Sequence, residues 1–114
     1  MNLKLNTRRT AGITVVAVSG RLTLGEGAPV VRREIHALLA SGERNILMNL
    51  AEVTYMDSSG LGELVADLTE IENAGGTLKL AGLTRGTKEL LRITRLSSLF
   101  DVYETEAEAM RSFA

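Results

Sequence analysis

Residues 45–81 read NILMNLAEVTYMDSSGLGELVADLTEIENAGGTLKLA, and the order of elements in this stretch decides the fold. The stretch opens with a short apolar run over residues 45–50, which predicts a buried central strand. A helix is predicted from about residue 59 to residue 74, because apolar residues recur there at helical spacing (Leu61, Leu64, Val65, Leu68 and Ile71). A second strand is predicted over residues 77–81. A strand, a helix and a strand in this order predict two parallel strands joined by a right-handed crossover.

The segments on either side also alternate between strand and helix, which predicts one α/β domain over residues 1–114. The further strands are expected at residues 3–7, 13–18 and 100–103, and the first two form a hairpin. A glycine-rich loop is expected over residues 20–27. Helices are expected over residues 26–40, over residues 83–93 with a cap at Thr84, and from the capping box that begins at Thr105. The prediction is a small mixed sheet of four to five strands with about four helices.

The composition excludes several classes of function. The chain has no cysteine and a single histidine, His36, so it can form neither a disulfide scaffold nor a thiolate or multi-histidine metal site. A net charge of −1 and an aromatic content of 4% argue against direct nucleic-acid binding. No apolar run is long enough to span a membrane, and no secretory signal is visible. We therefore expect a cytoplasmic protein without a cofactor or a metal.

The turn before the central helix, Asp57-Ser58-Ser59-Gly60-Leu61-Gly62, has two interpretations. In the first, Ser58 is an N-cap, Asp57 favours the helix dipole and the glycines allow close packing. In the second, Ser58 carries a phosphate, which a helix N-terminus tolerates, and the charge acts on a partner surface. A serine nucleophile is disfavoured, because Met56 stands where a nucleophile elbow needs glycine and His36 is expected on a helix surface.

The predicted central helix also carries three acidic residues at helical spacing, Glu63, Asp67 and Glu70. Their spacing places them opposite the apolar stripe, so all three are expected to point outward. They form either a solvated face or a docking surface for a basic partner beside Ser58.

The octapeptide Tyr55-Met56-Asp57-Ser58-Ser59-Gly60-Leu61-Gly62 resembles the signature of the STAS domains, and specifically of the bacterial anti-sigma factor antagonists. Residues 15–22 and 46–50 are similar to the strands of that family, and residues 73–76 and 90–96 to its helix stop and C-terminal block. The resemblance covers nearly the whole chain.

This resemblance implies a regulatory protein without enzymatic activity. The unphosphorylated antagonist binds an anti-sigma factor that is a serine kinase, and this frees a sigma factor. The kinase then phosphorylates Ser58 and the complex dissociates, and a serine phosphatase resets the switch. Many antagonists carry an aspartate where this chain has Thr23. Other STAS domains are scaffolds or subunits of lipid transporters, so a non-switching binding module is the alternative.

The expected partner surface combines the loop at residues 20–27 with the turn at Ser58 and the start of the following helix. These pieces meet at one edge of the sheet if the strands before them are parallel. The residues expected to contact the partner are Thr23, Asp57, Ser58, Ser59, Gly60, Leu61, Gly62, Glu63 and Asp67.

Overall fold

A computed structural model describes residues 3–25 and 27–113 of the chain. Within these residues, the strands are β1 (Lys4–Thr10), β2 (Ile13–Leu22), β3 (Asn45–Met56), β4 (Thr77–Ala81) and β5 (Asp101–Tyr103). The helices are α1 (Ala28–Ala40), α2 (Ser58–Asn73), α3 (Arg85–Ile93) and α4 (Glu106–Ser112), and a 3-10 turn covers Ser97–Leu99. The small mixed α/β fold that the sequence predicts is confirmed.

The strands lie in the sheet in the order β1-β2-β3-β4-β5. Strands β1 and β2 form the predicted antiparallel hairpin, and Ala11 and Gly12 make its turn with positive φ angles of 53° and 78°. Strands β2, β3, β4 and β5 run parallel to one another. Because Leu22 pairs with Met56 at the ends of β2 and β3, both strands end at the same edge of the sheet.

Both faces of the sheet are covered. Helices α1, α2 and α3 pack on one face, where apolar side chains form the larger core (among them Val16, Leu22, Val31, Ile35, Met48, Leu64 and Leu91). Helix α4 covers the other face with a smaller core of Ile13, Val15, Leu47, Ala81 and Ala109. Successive residues of one strand therefore enter two different cores, as Leu47 and Met48 do.

The side chain of Lys79 in β4 binds the C-terminal end of α4 on the second face of the sheet. Its side chain is only 9% exposed, and its Nζ donates to Oγ of Ser112 at 2.8 Å and to the main-chain oxygen of Ser112 at 3.1 Å. The same ammonium lies 4.9 Å from the centre of the Phe113 ring. A buried lysine needs such partners, because an unpaired charge away from water is costly.

Several predicted boundaries are wrong by a few residues. The expected loop at residues 20–27 begins inside β2, which continues to Leu22. Helix α1 begins at Ala28, and Glu26, the predicted first residue, lies outside the described residues. Helix α2 begins at Ser58, one residue before its predicted start. The cap at Thr84, the capping box at Thr105 and the bounds of β4 are confirmed.

The largest difference concerns β3, which runs to Met56 and not to residue 50. Two register shifts against β2 each place one extra residue in β3, between Asn49 and Glu52 and between Val53 and Tyr55. Each bulge resets the in-and-out alternation, so every third residue from Leu50 to Met56 is buried. This part of β3 therefore lacks the alternation of buried and exposed residues from which a strand is predicted in a sequence.

The helices of the described residues include none with the length and apolar character needed to cross a membrane.

Candidate functional site

The ends of β2 and β3 bring two loops together at one edge of the sheet. Thr23 follows β2 and Asp57 follows β3, directly after the paired residues Leu22 and Met56. The first turn of α2 presses against the end of β2, since a Cβ atom on Gly60 would lie 2.0 Å from the carbonyl oxygen of Leu22. The expected meeting of the two loops is therefore confirmed.

The N-cap of α2 is Asp57, and the interpretation of Ser58 as the cap is wrong. Asp57 is extended, and its Oδ1 accepts a hydrogen bond from the backbone N–H of Gly60 at 2.9 Å. Ser58 is therefore already the first helical residue. Within the described chain its exposed hydroxyl has no hydrogen-bond partner, whereas Ser59 is half-buried.

The edge around Ser58 also carries apolar and cationic groups that no sequence pattern indicates as part of a site. Leu24 is 69% exposed and Tyr55 is 47% exposed. The guanidinium carbon of Arg21 lies 4.7 Å from the centre of the Tyr55 ring, across the pair formed by β2 and β3. The bulge before Tyr55 turns this side chain outward, and only the pairing of the two strands reveals it.

Thr23 holds the β2–α1 loop closed through its main chain. Its carbonyl oxygen accepts hydrogen bonds from the N–H groups of Gly27 and Ala28, each at 3.1 Å. The residue is half-buried and offers a hydroxyl where many antagonists are expected to offer a carboxylate.

The expectation that the acidic residues of α2 point outward is wrong for two of the three. Glu63 is 3% exposed and Asp67 is 0% exposed, whereas Glu70 is partly exposed. Helix α2 packs against the sheet through Leu61, Leu64, Leu68 and Ile71, and α1 covers its adjacent side. The spacing along one helix does not show that a second helix covers the presumed polar face.

The buried acids contact groups of α1. Oε1 of Glu63 accepts two hydrogen bonds from the Arg32 guanidinium, from Nη2 at 2.7 Å and from Nε at 3.1 Å. The pKa of Asp67 is raised to about 9. Burial is the largest cause, and the hydrogen bond and negative charge of Glu63 add to it. One turn further on, Nε2 of His36 lies 2.8 Å from Oε2 of Glu70.

The predicted contact residues thus divide by exposure. Ser58 and Gly62 are exposed, and Thr23, Asp57 and Ser59 are half-buried. The buried members are Gly60, Leu61, Glu63 and Asp67. A partner on the intact fold would therefore meet the exposed and half-buried members, and not the buried Glu63 and Asp67.

Three comparisons with known proteins agree with this arrangement. The family model described as "STAS domain" matches residues 4–109. The anti-sigma-B factor antagonist of Staphylococcus aureus strain NCTC 8325 is 33% identical over 109 residues, which cover 95% of this chain and 100% of that protein.

Solved structures share the fold. The crystal structure of an anti-sigma factor antagonist from Mycobacterium paratuberculosis superposes with a TM-score of 0.86 at 23% identity, covering 97% of this chain and 93% of that one. The Bacillus cell fate determinant SpoIIAA in its phosphorylated form gives a TM-score of 0.74 at 21% identity, covering 97% and 100%. Anti-sigma factor antagonists are regulatory proteins and not enzymes. The family model, the identity to the staphylococcal relative and the shared fold show that this chain belongs to the STAS family of anti-sigma factor antagonists.

Proposed function

We propose that this protein is a partner switch controlled at Ser58. Without phosphate on Ser58 it binds an anti-sigma factor serine kinase, and the sigma factor is released. Phosphorylation of Ser58 ends that binding, and a serine phosphatase restores it.

The position of Ser58 is the observation that carries this proposal. Its side chain is exposed on the first turn of α2, and Asp57 performs the capping that would otherwise occupy a serine hydroxyl. The hydroxyl is therefore available to a kinase without any loss of helix structure. A structure with the same fold, SpoIIAA, is known in a phosphorylated form, so this fold accommodates a phosphate.

A phosphate on Ser58 would change the surface and leave the fold intact. It would add about −1.5 to −2 charges. The N–H groups of the first helical turn and the positive end of the helix dipole accommodate an anion there. The new charge would lie next to the half-buried Asp57, on the edge of the sheet that also carries the exposed Tyr55 and Leu24. A partner that packs against Tyr55 and Leu24 would then have to remove the water around a doubly charged phosphate.

The exposed groups of the edge define the proposed partner surface. Leu24 and Tyr55 supply apolar contact, Arg21 supplies a cation against the tyrosine ring, and Ser58 lies at the adjoining turn. Glu63 and Asp67 are buried, so they cannot provide the acidic docking face expected from the sequence.

The test is phosphorylation by an anti-sigma factor serine kinase from the same cell, followed by intact-mass and tandem mass spectrometry. We expect one added phosphate, located on Ser58. The variant Ser58→Ala should take up none, whereas the matched variant Ser59→Ala should be modified like the parent protein. In calorimetric titrations with the kinase, Ser58→Asp should bind at least about tenfold more weakly than Ser58→Ala, which corresponds to about 1.4 kcal/mol.

Phosphate found on Ser59 alone would contradict the assignment to Ser58. Equal affinities of Ser58→Ala and Ser58→Asp would contradict a switch and favour the alternative, a non-switching STAS module that serves as a scaffold or as a subunit of a lipid transporter.

A further inference from the structure

Three carboxyl oxygens between α1 and α2 are buried without a hydrogen-bond donor among the described residues: Oε2 of Glu63 and both side-chain oxygens of Asp67. The two acids are four residues apart on one side of α2, so their side chains are neighbours. Two adjacent ionised carboxylates with three unpaired oxygens would be very unfavourable away from water. One of the two acids, Glu63 or Asp67, must therefore carry a proton.

We propose that Glu63 and Asp67 share one proton, which Asp67 donates to Oε2 of Glu63, and that with Arg32 they form a pH-sensitive joint between α1 and α2. The proton gives Oε2 of Glu63 a donor and gives one oxygen of Asp67 an acceptor. Arg32 distinguishes the two acids, because both of its hydrogen bonds go to Oε1 of Glu63, whereas the oxygens of Asp67 have no donor among the described residues.

The charged groups around Asp67 favour its protonated form. The charged groups that act on it are Glu63 and Glu70 of α2 and Arg32 of α1, and the acids together outweigh the single arginine. His36 of α1 is engaged with Glu70. The strands beneath α2 contribute apolar side chains to the shared core (Ile46, Met48, Leu78 and Leu80), and Lys79 of β4 is turned to the opposite face.

The joint links pH to the edge of the sheet that carries Ser58. Helix α1 leaves the loop of Thr23, and α2 begins at Ser58, so both helices start at that edge. Loss of the shared proton leaves two negative charges facing each other between the helices. Their repulsion weakens the α1–α2 contact as pH rises. The proposed joint involves only residues of this chain. Its test is therefore independent of the proposed switch at Ser58.

The sign of the pH effect follows from the two states of the chain. In the unfolded chain Asp67 has its ordinary pKa of 3.8, and in the fold its pKa is raised to about 9. The folded state therefore holds the proton across this interval while the unfolded state has released it. The stabilising effect of the proton is fully present below the lower value, and it is lost as pH rises toward the upper value, by up to tenfold in the folding equilibrium constant per pH unit.

The first measurement is a carbon NMR titration of the unmodified protein. The chain has three aspartates, so the carboxyl carbons of Asp57 and Asp101 serve as internal references for that of Asp67. We expect the Asp67 carbon to keep the shift of a protonated acid at pH 7. A carbon that titrates near the ordinary value of an aspartate would overturn the proposal.

The second measurement is urea unfolding between pH 5 and pH 9 of the parent, of Asp67→Asn and of Glu72→Gln, an exposed acid of the same helix. The side-chain amide that Asp67→Asn introduces can donate to Glu63 without a titrating proton. We expect the stability of Asp67→Asn relative to the parent to rise as pH rises, by up to tenfold per unit in the equilibrium constant. Glu72→Gln should follow the parent. Parallel pH profiles of the parent and Asp67→Asn would overturn the proposal, and the NMR titration decides it if Asp67→Asn does not fold.

Discussion

At the scale of single residues, Asp57 has a structural role at the start of α2, and its neighbour Ser58 is the proposed site of regulation. The carboxylate of Asp57 caps α2 through the N–H of Gly60, and the adjacent serine hydroxyl makes no contact on which the described fold depends. A residue that contributes little to stability can change its charge without a penalty in folding. The cap at Asp57 would hold the start of α2 in place with or without a phosphate on Ser58.

This difference in role predicts different costs for two adjacent substitutions. Asp57→Ala should lower the free energy of unfolding by about 1 kcal/mol, because it removes the N-cap. Ser58→Ala should change it by less than about 0.5 kcal/mol, as exposed substitutions usually do. Urea unfolding of both variants beside the parent measures the difference, and a larger loss for Ser58→Ala would show that the serine contributes to the helix start.

At the scale of elements, α2 combines three faces: the side on the sheet, the side on α1 and the exposed side. Gly60 lies where its backbone contacts the end of β2, whereas Gly62 faces open space, two residues later in the same turn. The two glycines of the signature therefore have different roles. Gly60 lets the helix approach the strand that carries the Thr23 loop.

Alanine substitutions should distinguish these two glycines. A Cβ atom at residue 60 would lie 2.0 Å from the Leu22 carbonyl oxygen, so the backbone must shift. We expect Gly60→Ala to cost about 1–3 kcal/mol. A Cβ atom at residue 62 meets nothing within 4 Å, so Gly62→Ala should stabilise the helix by about 0.4–1 kcal/mol. Thermal unfolding measures both, and equal effects of the two substitutions would contradict the close contact.

The elements also show which features a sequence can predict. Local signals succeeded: the cap at Thr84, the capping box at Thr105 and the strand before Gly82 depend on residues next to each other in the chain. The end of β3 was missed because two bulges remove its alternation. The burial of Asp67 was missed because it depends on α1, a separate helix whose contact with α2 no local pattern shows. The sequence places Ser58 at the start of α2, but the cap is Asp57 and not Ser58, and the sequence does not separate the two because Asp and Ser are both common cap residues.

At the scale of the whole molecule, the sheet separates the face beside the proposed partner surface from the face that α4 covers. The larger core lies on the side with α1 and α2, and among the described helices α4 is the one that covers the other side. Lys79 joins β4 to the end of α4 through Ser112 and Phe113. Its ammonium thus stabilises the packing of the last helix over a small core.

Removal of this contact should loosen the second face. Lys79→Ala leaves the oxygens of Ser112 without their donor and opens space against Phe113, so we expect a loss of about 1–3 kcal/mol. Lys88→Ala is the matched control, because Lys88 is exposed and pairs with an exposed Glu104, and it should change stability by less than about 0.5 kcal/mol. Thermal midpoints of the two variants give the comparison. Similar midpoints would mean that α4 packs without the help of Lys79.

The strand order of the sheet has a consequence for how the chain is made. Because the strands lie side by side in the order in which they occur in the sequence, no strand has to insert between two that are already paired. Each strand can join the growing edge as it emerges from the ribosome, starting from the hairpin of β1 and β2. The edge with Thr23 and Ser58 is complete once α2 has formed, before α4 is made and closes the opposite face.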